Sequence, residues 1–500
     1  MRPLSLAVLL LLSGTSLAAV KNVSTVAQLQ SALSSATAGD EIVLADGQYD
    51  ISQNLTCSAE GTAALPIIVR AANRHAARIR FNASEGFKVS GRYWTFEGLD
   101  IEGVCAQDTS CEHAFHVTGH AENFVLRHSR IRNFNAQLKS NAVKNASGVW
   151  EMPHKGLIER NEIYDTRARN TGNPVNKLNI DTGDDWVVRD NYIHDFAKAG
   201  GISYGAFMKS GGRRGVFERN LVICTKDAAA GNTRIGLSFG GGGTGAAFCA
   251  PAFDPAVPCD PEHTDGLLAN NIIINCSDVA IYLNRAANTR VLFNTLIATT
   301  GVDFRFASST GEAHGNVMSS VVRTRDSGRF TAGTNHQNVA STTWTTWYQA
   351  PMVGDLRIKG SVSQLIGAAA ARPLVTVDYC GRPRPTGANT LGALEHSLGD
   401  CSDAGTGNPT DAGTGGPVDA GTGSDAGTGS DAGTGSDAGT KSDAGTSGGA
   451  DAGPVAIDDD DEDGESDGGC NAAPGLAAML VALLLPLALR RRGSRASERQ

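Results

Sequence analysis

An asparagine recurs at one place in six short strand-like segments: IERNEI at 158–163, VRDNYI at 188–193, FERNLV at 217–222, LANNII at 268–273, LFNTL at 292–296 and GNVM at 315–318. Asn161, Asn191, Asn220, Asn271, Asn294 and Asn316 are separated by 30, 29, 51, 23 and 22 residues, the period of stacked repeats rather than of a closed globule. Five or six alternating residues cannot bury their apolar side alone, so successive copies must stack and pair laterally. The expected fold is therefore all-β: a right-handed, single-stranded parallel β-helix in which each asparagine marks one coil. The 51-residue interval contains a Gly- and Pro-bearing stretch, 240–261, which reads as a large loop inserted into a coil.

The two ends differ in composition from the middle. Residues 1–19, with Arg2, an apolar run at 4–12 and small residues at 16–19, have the three regions of a secretory signal peptide. The β-helix domain is expected over 20–398. Across 399–469 the tetrad Asp-Ala-Gly-Thr recurs, beginning at 403, 411, 419, 425, 431, 437 and 443, with few side chains able to pack; this predicts a disordered linker. Residues 470–500 hold Cys470, a 14-residue apolar run at 476–489 and Arg490, Arg491 and Arg492. That tail resembles the myxobacterial C-terminal sorting signal, which implies a sorting protease acting near Cys470 and display on the cell surface or outer membrane. Read instead as an ordinary single-pass anchor, it is a transmembrane helix with its arginines in the cytoplasm. Both readings leave the β-helix secreted and touching a membrane only through its tail.

Ten cysteines suit an oxidising compartment. Cys105 and Cys111, and Cys249 and Cys259, each bracket a short loop and suit local bridges. Cys224 and Cys276 follow ladder asparagines and either pair or stack, while spacing leaves Cys57, Cys380 and Cys401 unassigned. The formal net charge is -9, but much of the acid lies in 403–467, so the β-helix itself is near neutral or mildly basic. With no patch of interleaved basic and aromatic residues, no nucleic-acid partner is expected.

A second strand precedes each asparagine segment, at 114–119, 148–152, 177–181, 205–209, 236–240, 280–284 and 302–306. Side chains alternate along a strand. With Phe115, Val117, Trp150, Met152, Leu178, Ile180, Ala206, Met208, Leu237, Phe239, Ile281, Leu283, Phe304 and Phe306 inward, the outward set includes His116, Glu151, Asn179, Asp181, Phe207, Lys209, Tyr282, Asn284 and Arg305. Coils stack about 4.8 Å apart, which is expected to bring Glu151, Asp181 and Lys209 together. Asp181, Asp184 and Asp185 lie within five residues, a density of carboxylates that suits a hard cation such as Ca2+, although Asp and Gly also simply make good turns. Arg213 and Arg214 are expected over that turn. Together with a bound Ca2+ they would lower the proton affinity of Lys209, as a lysine base requires. Glycines 240–243 are expected to open space beside the lysine, Phe207 and Tyr282 to offer faces to a sugar ring, and Asn284, Arg285 and Arg305 to continue the binding strip.

The segments 26–33, 38–44 and 47–49, followed by 66–70 and 94–99, resemble the cap and first coils of secreted polysaccharide lyases. Asp184-Asp185-Trp186, followed one coil later by Gly205-Ala-Phe-Met-Lys209, is most similar to calcium-dependent pectate lyases. The resemblance implies Asp181, Asp184 and Asp185 as metal ligands with Glu151 as the remaining acidic ligand, and Lys209 as the base that removes the C5 proton of a uronic acid before β-elimination. Chondroitinase-B-type and alginate lyases also place a lysine on such a coil, but Ile202 and Tyr204 stand where their acidic ligands would be. Polygalacturonase-type hydrolases are echoed at 179–181, 184–185 and 263–266. The expectation is a surface-displayed lyase for an acidic polysaccharide; the alternatives are a polygalacturonase-like hydrolase and a non-catalytic carbohydrate-binding or adhesive protein.

Overall fold

The computed structural model describes residues 18–227 and 232–401. The chain divides into two units, Met1–Gly439 and Thr440–Gln500, and every described residue belongs to the first. Most of the expected signal peptide, the linker beyond residue 401 and the tail with Cys470 lie outside the described residues. Among the described residues no helix is long and apolar enough to cross a membrane.

One coil shows the plan. Val175–Asp181 runs along a first face, Val187–Arg189 along a second and Tyr192–His194 along a third; Ile202–Lys209 then re-enters the first face beside the strand where the coil began. Repetition builds three parallel sheets of 10, 12 and 10 strands, the parallel β-helix that the asparagine period predicts. On the first face Leu178 pairs with Ala206 and Ile180 with Met208, so like side chains stack from coil to coil. Phe115, Val117, Leu178, Ile180, Ala206, Met208, Leu237, Phe239, Ile281, Leu283 and Phe304 all lie in one buried core, as their alternation predicts. Phe306 departs from it: it lies beyond the end of strand Gly301–Arg305, at a φ of 68°, with the guanidinium groups of Arg285 and Arg305 over its ring.

The asparagines form a continuous internal ladder between the second and third faces. Asn220 shows why only asparagine fits. Its Nδ2 donates to the Val188 carbonyl and to Asn271 Oδ1, each at 2.9 Å, while its Oδ1 accepts from the backbone N–H and Nδ2 of Asn191. Both amide hydrogens and both lone pairs are satisfied at a fully buried position, the condition under which a buried amide does not destabilise a core. The ladder extends one step past the sequence motif, from Asn316 to Asn335 at 2.8 Å. The residue before each motif asparagine has positive φ: Arg160, Asp190, Arg219, Asn270, Phe293 and Gly315. Five of these six are not glycine, and the ladder bonds hold them in that costly conformation.

One predicted strand is misplaced. Residues 148–152 were expected on the first face, but Trp150–Glu151 pairs antiparallel with Val143–Lys144 in a side hairpin. The first-face strand of that coil is Ala136–Asn141, with Leu138 paired to Phe115 on one side and Leu178 on the other. Its inward positions, Ala136, Leu138 and Ser140, include only one large apolar residue, so its alternation is faint beside Val149, Trp150 and Met152. Trp150 and Met152 are accordingly not core residues.

Past the last coils the chain turns back. Residues 339–398 fold against the outer side of the third face, where Leu221, Ile223, Ile272, Ile274 and Ile297 meet Trp344, Trp347, Leu356, Leu365 and Leu391 in a second apolar cluster. The third-face strands beneath this segment are buried on both sides, which is why 272–274 reads as three consecutive isoleucines. Disulfides join Cys105 to Cys111, Cys224 to Cys276, Cys249 to Cys259 and Cys380 to Cys401, and Cys57 is a buried free thiol.

Candidate functional site

The predicted register holds at its centre: Asp181 and Lys209 end neighbouring first-face strands and pair directly. Asp181 lies between two lysines, with Lys139 Nζ at 2.5 Å from one carboxylate oxygen and Lys209 Nζ at 3.6 Å from the other. Ser210 Oγ donates to Asp181 as well, at 3.2 Å. Burial alone would raise the Asp181 carboxyl; Lys139 and Lys209 outweigh it and hold the group below the usual carboxylate range. Lys209 Nζ also sits 5.0 Å from the centroid of the Phe207 ring.

Toward the start of the helix the polar strip continues through residues that sequence reasoning left out of the site. Lys139 is registered with His116 below it and Asn179 above. His116 bonds Glu85 through Nδ1 at 2.5 Å and Asn141 through Nε2 at 2.6 Å. His116 and Lys88 hold Glu85 at about 2, against the upward push of burial. Lys139 was missed because its strand was misplaced. The available signal was the LKSN run at 138–141, whose position before the next coil matches the other first-face strands.

Glu151 is not on this strip. It lies on the side hairpin, where His120 and Asn145 each bond it at 2.9 Å. Asp184 and Asp185 stay in the turn after Asp181, and Arg213 and Arg214 lie over that turn as expected. The arginines close on the carboxylates themselves: Arg213 Nη2 reaches Asp184 at 2.7 Å, and Arg214 takes both oxygens of Asp185 at 2.7 and 2.9 Å. Arg214 holds Asp185 below its usual value. These guanidinium groups therefore serve the aspartates rather than Lys209.

The same contacts decide how the residues suit a cation. Asp181, Asp184 and Asp185 each already face one or two cationic side chains, and Glu151 sits on another element. Among the described residues no three His, Cys, Asp or Glu side chains are gathered to hold a metal ion. As arranged, the donors do not fit Ca2+.

The glycine run also departs from expectation. A side chain at Gly241 would meet Lys209 Cδ at 3.0 Å, so the run lies against the lysine stem instead of opening space beside it. The loop is fastened there by Thr244 on Ser210 at 3.0 Å and by Glu262, which accepts from the Gly241 N–H at 2.8 Å. Farther out, Phe253 of this loop stacks on Trp150 of the side hairpin with ring centroids 4.3 Å apart. Phe207 and Tyr282 are 3% and 5% exposed, so neither presents an open face to a sugar. Tyr282 instead accepts from Arg305 through its hydroxyl at 2.8 Å. Asn284 and Arg305 pair in register on the next coils, and Arg285 lies over Phe306. Three buried acceptors along the strip, Asn179 Oδ1, Asn284 Oδ1 and Glu262 Oε1, have no hydrogen-bond partner among the described residues.

A family profile described as the Pel9A-like right-handed β-helix region matches residues 12–173, about a third of the chain. No curated protein matches the sequence at a significant level. Among solved structures the chain is similar to pectate lyase Pel9A (15% identity, 76% of this chain and 97% of that one, TM-score 0.47). It is also similar to an alginate lyase from Paenibacillus sp. str. FPU-7 (18%, 64% and 98%, TM-score 0.37) and to the lacto-N-biosidase of Eubacterium ramulus (12%, 64% and 68%, TM-score 0.40).

Proposed function

We propose that this chain is a polysaccharide lyase that cleaves an acidic, uronic-acid-containing polymer by β-elimination, with Lys209 as the base. The observation that carries the reading is the Lys139–Asp181–Lys209 row across neighbouring coils of the first face. Elimination at a uronic acid needs two things of a protein: a cation beside the carboxylate, so that charge developing on it is tolerated, and a base at C5. Lys139 is the closer partner of Asp181 and is placed for the first task. Lys209 has the longer contact with Asp181 and a side chain only 7% exposed. Burial strips away the water that would solvate an ammonium and favours the free amine, working against the Asp181 carboxylate, which favours the charged form.

The amine takes the C5 proton, the electron pair forms the C4–C5 double bond, and the C4–O bond breaks. The departing oxygen takes up the proton that the Lys209 ammonium now carries, which restores the free amine, so the step balances without water. Because the carboxylates at 181, 184 and 185 do not make a cation cage, no step here passes through Ca2+.

Display on the cell surface through the tail at 470–500, with a sorting protease acting near Cys470, remains part of the proposal. Its support is the sequence motif.

The test is incubation with polygalacturonate, alginate and chondroitin, following absorbance of the unsaturated product with and without a chelator. Absorbance that rises equally in both arms is the expected result. Reducing ends without that absorbance would mean hydrolysis, and neither signal on any uronic-acid polymer would leave a binding protein. Abolition by the chelator would return the metal to the mechanism.

A further inference from the structure

Four arginines converge at the far end of the strip that carries Lys209. Lys209, Gly240, Asn284, Arg305 and Arg325 follow one another on successive coils of the first face; Asn284 pairs with Arg305 and Arg305 with Arg325. In the neighbouring column Tyr282, Asp303 and Arg323 are likewise in register. At about 4.8 Å per coil, Arg305 lies about 14 Å and Arg325 about 19 Å from Lys209 along the helix axis.

This end has an excess of positive charge. Arg285, Arg305, Arg323 and Arg325 outnumber the carboxylates around them, with Asp303 and Asp326 in contact and Asp278 acting on Arg323. Asp303 is buried, and its two oxygens hold Arg323 and Arg325 by their Nε atoms, with the side chains of both arginines about 40% exposed. Arg305 is held by Asp326 at 2.7 Å and by the Tyr282 hydroxyl, and Arg285 and Arg305 both lie over the Phe306 ring. The guanidinium groups of Arg323 and Arg325 are thus fixed in place while still exposed, the preorganised form in which a planar fork best receives a carboxylate. Between this cluster and Lys209 the column holds Gly240 and Asn284, with Gly241 and Gly242 of the glycine-rich loop packed on Lys209 and Asn284, so a chain reaching both ends passes over that loop. Val321–Arg325 is also the terminal strand of its sheet, and charge on an edge strand guards against pairing with other chains. That role needs charge on the edge strand alone. It does not explain why Arg285 and Arg305, on the two preceding coils, join the same cluster.

We propose that Arg305, Arg323 and Arg325, with Arg285, form a second anion subsite that takes a carboxylate of an acidic polysaccharide several sugar units from the Lys139–Asp181–Lys209 row. The subsite rests on the reading of the ligand as a uronic-acid polymer, but not on catalysis. It makes the protein a binder of long chains lying along the helix axis.

Native gels cast with polygalacturonate or alginate test this on the full chain. The wild type should be retarded, and Arg323→Ala/Arg325→Ala should weaken that retention about fivefold or more as two charge-assisted contacts are lost. Arg325→Gln, which leaves Arg323 on Asp303 and so protects the fold, should give a smaller loss in the same direction. Arg357→Ala removes the same charge from an exposed arginine paired with Asp355, away from the strip, and should leave retention at the wild-type level. Retention of both Arg323/Arg325 variants at the wild-type level, an equal loss in Arg357→Ala, or no retardation of the wild type by either polymer overturns the subsite. Retardation that depends on these arginines without unsaturated product supports the subsite while removing the lyase reading. Product formation with arginine-independent retention does the reverse.

Discussion

The outer sides of the first and third faces are built on the same coils yet have opposite chemistry. Outside the third face, Ile272, Ile274 and Leu221 lie under the tryptophans of the returning C-terminal segment, making a second core. Outside the first face, lysines, acids and asparagines stand beside the buried rings of Phe207 and Tyr282, and a side hairpin and a glycine-rich loop reach over them. A solenoid coil fixes which residues point outward but not what they meet there. The excursions and the returning segment decide that, turning one wall into a second core and leaving the other polar.

The strongest way to break this contrast is to alter one residue on the first face. Lys209→Ala should reduce turnover of the preferred polymer about 10³-fold, within the range for removing a general base, with a small change in unfolding midpoint. Steady-state rates beside urea unfolding of the same preparation check both parts. Near-wild-type turnover would remove Lys209 from the chemistry. Lys139→Ala should act mainly through the carboxylate it neutralises, and Lys139→Arg should restore part of the loss.

On the third face the largest effect should be on stability. Arg384 is buried with Glu395 at 3.2 Å, lies 4.4 Å from the Phe293 ring centroid and bonds Asn270 at 2.9 Å, tying the returning segment to the coils. Arg384→Ala strands Glu395 without its partner and should cost about 3 kcal/mol or more, read from urea unfolding. Turnover per folded molecule should stay within twofold of the wild type. A coupled loss of activity would show that the two walls are not independent.

How far each wall was legible in the sequence follows the same division. The coil period, the ladder and the inward sets at 115–117, 178–180 and 206–208 were readable because an inward side chain has only one environment, the core. Asp181 and Lys209 were readable as neighbours because both sit at the ends of strongly alternating strands. Lys139 was not, since Ala136 and Ser140 point inward and weaken the pattern of its strand, while the hairpin tryptophan imitates a core residue. Glu151 entered the expected site through that substitution. The capture of Asp184 and Asp185 by Arg213 and Arg214 needed side-chain geometry, because stacking two turns brings charges close without saying which of them pair.

The ladder belongs to both walls, and its loss should be felt by both. Asn220→Ala removes four hydrogen bonds and leaves the Asn191 backbone N–H without its acceptor and the Val188 carbonyl without its side-chain donor in the interior, for an expected cost of about 2 kcal/mol. Asn335→Ala, at the partly exposed end of the ladder, should cost clearly less. Equal costs would mean that the ladder is not stabilised by its closure away from water.

The last contrast comes with pH, through one buried histidine near each wall. His263 stacks on Phe239 below the glycine-rich loop, and His396 lies against Tyr348 in the returning segment. Burial pushes His263 down to about 3 and His396 to about 4. Each is neutral in the folded protein, so below an unfolded value near 6.5 only the unfolded chain takes up the proton and stability falls as pH falls. The loss per histidine approaches about 1.4 kcal/mol per pH unit and stops once pH passes the folded value. Asp181 adds to the loss at lower pH: its carboxyl is held down in the folded state, so its contribution is present above about 3.8 and disappears as pH falls through the folded value. Unfolding midpoints from pH 7 to 4 should therefore decline, and the decline should be shallower in His396→Gln than in the wild type. A parallel decline in both proteins would mean that His396 is not the group whose protonation opens the third-face cover.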